Sequence, residues 1–184
     1  SIVYINSNIM KSGQKNIEYP YLPEERIILY APEDDPNIIE AKKVAFKWAT
    51  DRRYIAGAVV VLNGKIIGRG ALRSRIKNEK LIQLHQDGWC IRRMLKIKSG
   101  QKYWLCPGCA APRNHSEPTA IRDAKKNGCD TQGANLYLWG HWWFCKDCWD
   151  AMISAGIRDV YLMENSENLF NLDSSNNIIG KQFE

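Results

Sequence analysis

The sequence predicts an α/β fold, a three-layer α-β-α sandwich around a mixed central sheet, and three observations carry that prediction. Helix, hairpin, helix, strand, helix and strand patterns follow one another along the chain, and strands alternating with helices imply at least one parallel pair. The run Gly57-Ala58-Val59-Val60-Val61-Leu62 is apolar on both faces, which suits an interior strand covered on both sides. Asn63-Gly64 joins that run to Lys65-Ile66-Ile67-Gly68, a tight-turn signal that makes this pair antiparallel and the sheet mixed.

The leader is punctuated by Pro20, Pro23, Pro32 and Pro36, with Ile27-Ile28-Leu29-Tyr30 as a short strand. From Pro36 the apolar residues Ile38, Ile39, Ala41, Val44, Ala45 and Trp48 recur at three- and four-residue steps, so a helix starts at the proline and ends between Ala49 and Arg52. After the hairpin, Leu81 to Ile97 is loosely helical and interrupted by Gly88. The stretch from Pro118 to Asn127 has good helix formers, a basic last turn and Gly128 as its stop. Ala134 to Phe144 is strand-like and aromatic, Asp147 to Ala155 is helical before Gly156, and Asp159 to Met163 is again a strand. Leu169 to Glu184, rich in Asn and Ser, is a weakly specified tail.

With 184 residues, 45% hydrophobic and 25% charged, and a mean hydropathy of −0.42, the chain suits one globular domain rather than a disordered or membrane-spanning one. Its longest clean apolar run, Ala56 to Leu62, is far shorter than the roughly 20 residues a bilayer requires. Ser1 to Tyr4 lack a basic stretch followed by an apolar one, so a cytoplasmic protein without a secretory signal is expected. The net charge of +6 is segregated. From Glu18 to Glu40 seven acids face Arg26 alone, whereas from Lys65 to Lys102 eleven bases face only Glu79 and Asp87. The middle segment suits a phosphate-bearing partner, or it is a solvated face neutralised by the acidic stretch.

Six cysteines are too few for a disulfide scaffold of this length, and their spacing points to metal. Cys106/Cys109 and Cys145/Cys148 have the two-residue gap that lets both sulfurs reach one ion; a redox dithiol is the competing use. His115-Ser116-Glu117 and Cys145-Lys146-Asp147-Cys148 each stand just before a predicted helix. One imidazole and two thiols at neighbouring helix N-termini make a tetrahedral zinc site with its fourth position open to water, the arrangement of catalytic zinc. Glu117 could then stand beside that water as a proton carrier without ligating the metal.

His115-Ser116-Glu117, with 27 residues between Glu117 and Cys145-x-x-Cys148, resembles the zinc signature of the cytidine and deoxycytidylate deaminase superfamily. The resemblance covers roughly Pro36 to Glu164 and includes the order of the flanking elements. It implies a zinc-dependent hydrolytic deaminase of a cytosine-containing nucleotide or nucleoside, releasing ammonia. His115, Cys145 and Cys148 would ligate Zn2+, Glu117 would shuttle the protons, and the Ser116 backbone N–H would face the pyrimidine carbonyl. Relatives of this kind commonly form homo-oligomers. The chain departs from the pattern at Phe144, where a proline is usual, in a longer aromatic strand before Cys145, and in lacking the usual sugar-binding Asn after the hairpin. Asn78 and Asn114 are the substitutes for that Asn, and Trp143 is a candidate for stacking on the base. Alternation along a continuous strand would send Trp142 and Trp143 to opposite faces.

On this reading residues 1–35 are an N-terminal extension, 36–164 the deaminase-like domain with an insertion at about 73–113, and 165–184 a C-terminal tail. Cys106 and Cys109, within the insertion, are candidates for a second metal site, with further ligands drawn from Cys90, Cys129, His85 or His141; buried free thiols are the plainer alternative. His85, in a polar stretch, is read as non-catalytic and His141 as a hydrogen-bonded residue. Two other functions remain open: a deaminase of single-stranded DNA or RNA, whose backbone the basic segment would track, and a non-catalytic zinc-ribbon-like nucleic-acid-binding module. In the latter both Cys pairs would share one ion, although the 35 residues between them exceed the usual spacing of about 15 to 20.

Overall fold

The Asp35 carboxylate accepts hydrogen bonds from Asn37 N at 2.8 Å and Ile38 N at 3.2 Å, and Pro36 fills the first helical position, so helix α1 runs Pro36–Trp48. In the computed structural model residues 17–182 are described; the first 16 residues of the leader, and residues 183 and 184, lie outside them. Strands β2 (Gly57–Leu62) and β3 (Lys65–Ala71) form the expected hairpin. The described residues build one five-stranded sheet, adding β1 (Leu29–Ala31), β4 (Asn135–Trp139) and β5 (Asp159–Met163) in the order β1-β5-β4-β2-β3. The β1–β5 and β4–β5 pairs are parallel and those of β2 antiparallel, as a mixed sheet requires.

Alternation along the strands gives the sheet two apolar faces. Ala58, Val60, Leu136, Leu138, Val160 and Leu162 pack with Ile121 of α4 (Ser116–Lys126) and Trp149 and Met152 of α5 (Lys146–Ser154). Val59, Val61 and Met163 face Ile38, Ala41, Val44 and Ala45 of α1 on the other side. Each Val, Leu, Ile or Met among them contributes about 1.5–3 kcal/mol on burial, so the two faces fix the three layers. A Cβ at Gly70 would run into Ala120 N and Ser116 O, and this close approach seats the first turn of α4 directly on β3.

Two expectations need correction. The strand before Cys145 does not reach Phe144: β4 stops at Trp139 because Gly140 turns the chain with φ 96°, at a place where a Cβ would strike Ile55 O. Trp142 and Trp143 therefore lie beyond the strand, and the alternation argument does not apply to them. The tail is better specified than its composition suggests. Its helix α6 (Ser166–Phe170) carries a buried Phe170 whose ring meets Trp139 edge-on at 5.1 Å, and Ile178 packs on the same core. Between β3 and α4 lie helices α2 (Glu79–Gln86) and α3 (Ile91–Met94), separated at Gly88, then short 3-10 turns at Tyr103–Leu105 and Pro112–Asn114. No helix among the described residues is long and apolar enough to cross a membrane.

Candidate metal centres

His115 and Cys145 occupy the N-cap positions of α4 and α5, and neither side chain makes a capping hydrogen bond, so both are free to turn toward one point. Cys148 follows one turn into α5. His115 Nδ1 lies 3.6 Å from Cys145 Sγ and 3.3 Å from Cys148 Sγ, and the two sulfurs are 3.4 Å apart. Zinc bonds of about 2.3 Å to sulfur and 2.0–2.1 Å to nitrogen place tetrahedral ligands roughly 3.5–3.8 Å from one another, so this donor set fits a zinc ion. The imidazole also hydrogen-bonds the Ala110 carbonyl, the kind of outer contact that fixes a metal-binding ring.

Electrostatics divides the thiols. Hydrogen bonding from Cys148, helped by His115, lowers the Cys145 pKa to about 5, whereas Cys148, bonded to Cys145 and deeply buried, is pushed well above its ordinary value. Burial, the largest single influence, favours the neutral His115 ring, but hydrogen bonding to Cys145 together with the negative charge of Cys145 and Glu117 and the Ala110 carbonyl raises the ring's pKa overall. Glu117, 5% exposed, is a hydrogen-bond neighbour of Cys148 and accepts from Ser116 Oγ at 3.1 Å. Its burial raises the carboxyl pKa, and the group sits beside the donor cluster.

His85, Cys90, Cys106 and Cys109 form a second cluster. The two Cys pairs therefore belong to different groups, which removes the zinc-ribbon arrangement with one shared ion. Cys129 and His141 join neither group: the Cys129 thiol lies near the Asn127 carbonyl, and His141 Nδ1 accepts from Trp143 N at 3.3 Å. Burial, reinforced by neighbouring His115, lowers the His141 pKa to about 4.

The model of the cytidine and deoxycytidylate deaminase zinc-binding region matches residues 33–164. The chain belongs to this family. Zinc is accordingly its metal, and a hydrolytic deaminase the class of enzyme the family describes. No curated protein sequence matches the chain. Similar solved structures include the dCMP deaminase of cyanophage S-TIM5 in apo form, 19% identical over 71% of this chain and 82% of the other, with TM-score 0.42. Another is the bifunctional diaminohydroxyphosphoribosylaminopyrimidine deaminase/5-amino-6-(5-phosphoribosylamino)uracil reductase of Thermotoga maritima, 24% identical over 70% of this chain, with TM-score 0.41. This chain spans only 29% of that protein. The guanine deaminase of Bacillus subtilis is 24% identical over 58% of this chain and 48% of the other, with TM-score 0.33.

Of the other candidate residues, Ser116 and Asn114 adjoin the first cluster in the chain, whereas Asn78 serves α2. Ser116 is buried against Glu117, and the Asn114 carbonyl accepts from Arg73 N at 3.0 Å in the turn that leads to His115. Exposed Asn78 uses its carbonyl oxygen to cap α2, accepting from Lys80 N and Leu81 N. Trp143 is buried in the core, where it packs near His141. Sequence reasoning missed Tyr103, whose ring meets His115 edge-on at 5.0 Å, and Asp51, whose carboxylate lies 3.0 Å from His85 Nδ1. The signal for Asp51 was faint: a lone acid after α1 with no periodic pattern around it.

Proposed function

We propose that the chain is a hydrolytic deaminase of a cytosine-containing nucleotide or nucleoside, with His115, Cys145 and Cys148 as its zinc ligands and Glu117 as its proton carrier. The observation that carries this reading is a cluster of three donors, rather than four, with a buried carboxyl beside it. A zinc ion held by that cluster supplies the Lewis acidity that makes a water molecule nucleophilic near neutral pH. Glu117 would accept one proton from the attacking water and deliver it to the ring nitrogen. It would then take the second proton from the hydroxyl added to the ring carbon and pass it to the amino group, which leaves as ammonia while the carbonyl forms. The Ser116 hydroxyl, bonded to the Glu117 carboxylate, holds it in place, and the first turn of α4 presents backbone N–H groups to the base. Tyr103 and Ala110 brace the imidazole from outside. Homo-oligomerisation and a cytoplasmic location belong to the same reading.

A phosphorylated substrate is supported by exposed Arg73 and Arg113, which flank the Asn114 turn before His115. A second reading, single-stranded DNA or RNA, is supported by exposed Trp89 within the basic segment and exposed Trp104 just after it, since aromatic rings beside cations stack on splayed bases. Ammonia release from cytosine, cytidine, deoxycytidine, dCMP and short oligonucleotides tests both. Release from dCMP or the nucleosides with a shallow salt dependence supports the first, and oligonucleotide turnover that falls steeply with salt supports the second. A zinc-loaded chain that releases no ammonia from any of them contradicts both.

A further inference from the structure

We propose that His85, Cys90, Cys106 and Cys109 hold a second, structural zinc ion that serves as the core of the segment between β3 and α4. The segment has little else to hold it. Among the described residues of 79–113, those buried are His85, Cys90, Arg92, Cys106, Gly108 and Ala110, and every leucine, isoleucine and methionine there is at least partly exposed. Trp89, Met94, Leu95 and Trp104 are more than 60% exposed. Three of the four donor residues thus occupy the interior that apolar side chains would fill in an ordinary domain. A segment that buries so little apolar surface needs a cross-link, and a closed metal site supplies one.

The geometry is that of a tetrahedral site with sulfur and nitrogen donors. Cys90 Sγ lies 3.6 Å from Cys109 Sγ, which lies 3.5 Å from His85 Nε2, and all four donor atoms lie within 4.8 Å of one another. Cys109 N bonds Cys106 O at 3.2 Å, closing a tight turn that brings both thiols of the pair to one side. At Gly108 a Cβ would run into the His85 ring, so only glycine lets this turn close over the imidazole.

Two outer contacts complete the site. Asp51 Oδ2 lies 3.0 Å from His85 Nδ1, which aims Nε2 at the three sulfurs. Asp51 is itself held by Arg53 N at 2.9 Å, so the site is anchored to the loop after α1. Three thiolates and a neutral imidazole around Zn2+ carry one excess negative charge, and Arg92 Nη1 lies 3.4 Å from Cys109 Sγ, where it compensates that charge. The same guanidinium stacks over the Tyr103 ring at 4.1 Å, and Tyr103 packs edge-on against His115. The second site therefore braces one wall of the first. Four protein donors leave no open position, so this ion is structural.

Elemental analysis of the full chain, before and after His115→Ala, tests the proposal together with thiol labelling. Wild type should hold two zinc ions per chain, one for each cluster, and His115→Ala should keep one. In metal-loaded protein Cys90, Cys106 and Cys109 should resist a maleimide that labels Cys129, and should react once a chelator removes the metal. Cobalt(II) substituted into the His115→Ala chain should show the intense sulfur-to-metal charge-transfer absorption of a three-thiolate tetrahedral site. Labelling of Cys106 and Cys109 in the metal-loaded chain as fast as Cys129 would overturn the proposal even if the His115→Ala chain fails to fold, and so would a single zinc per wild-type chain that His115→Ala removes. A chain that holds both ions yet releases no ammonia would refute the deaminase reading and leave this site standing.

Discussion

The His115 cluster stands at the N-termini of two helices packed on the central sheet, whereas the His85 cluster is assembled from loops and short helices outside the sheet. The first has three donors and the second four, and each has one buried carboxylate in a different place. Glu117 lies beside Cys148, where on the proposed function it would exchange protons with the substrate. Asp51 lies behind its histidine, 3.0 Å from Nδ1, where it can orient the ring. On the two proposals above, donor count and the side on which the acid stands separate a reactive centre from a brace, even when both are built from Cys-x-x-Cys and one histidine.

The sharpest break of that contrast is His115→Ala, which should reduce ammonia release to background and remove one zinc ion, as read by steady-state assay and elemental analysis. Glu117→Gln should lower kcat by about 10²–10⁴-fold while zinc content stays at the wild-type level. Asp51→Asn should do the reverse, leaving the first zinc in place and weakening the second by about 10–100-fold in a chelator competition. Gly70→Ala should destabilise the fold by about 1–3 kcal/mol in chemical denaturation, because its Cβ must push α4 off β3. Cys129→Ser, outside both clusters, should change neither metal content nor stability by more than about 0.5 kcal/mol.

Much of this organisation was legible from local pattern. The Pro36 helix, the hairpin turning at Asn63-Gly64 and the strand at Asp159–Met163 are written in periodicity, turn chemistry and apolar content, and they form where those signals place them. His115, Cys145 and Cys148 were legible because all three belong to short motifs at the starts of helices. What escaped is non-local. The end of β4 at Gly140 depends on an approach to Ile55, and the order in the tail depends on Phe170 meeting Trp139, a residue on a strand. His85 and Cys90 could be picked out as partners of Cys106 and Cys109 only once the loops had closed around them. Their choice over Cys129 and His141 comes from tertiary proximity that no spacing rule encodes.

One centre is proposed to be open and the other closed, and cobalt(II) reports on this directly. With both clusters filled by cobalt, an added small anion such as azide should shift the visible ligand-field bands of one ion only, and the response should vanish in His115→Ala. Bands that ignore the anion in wild type, or that still move in His115→Ala, would contradict it.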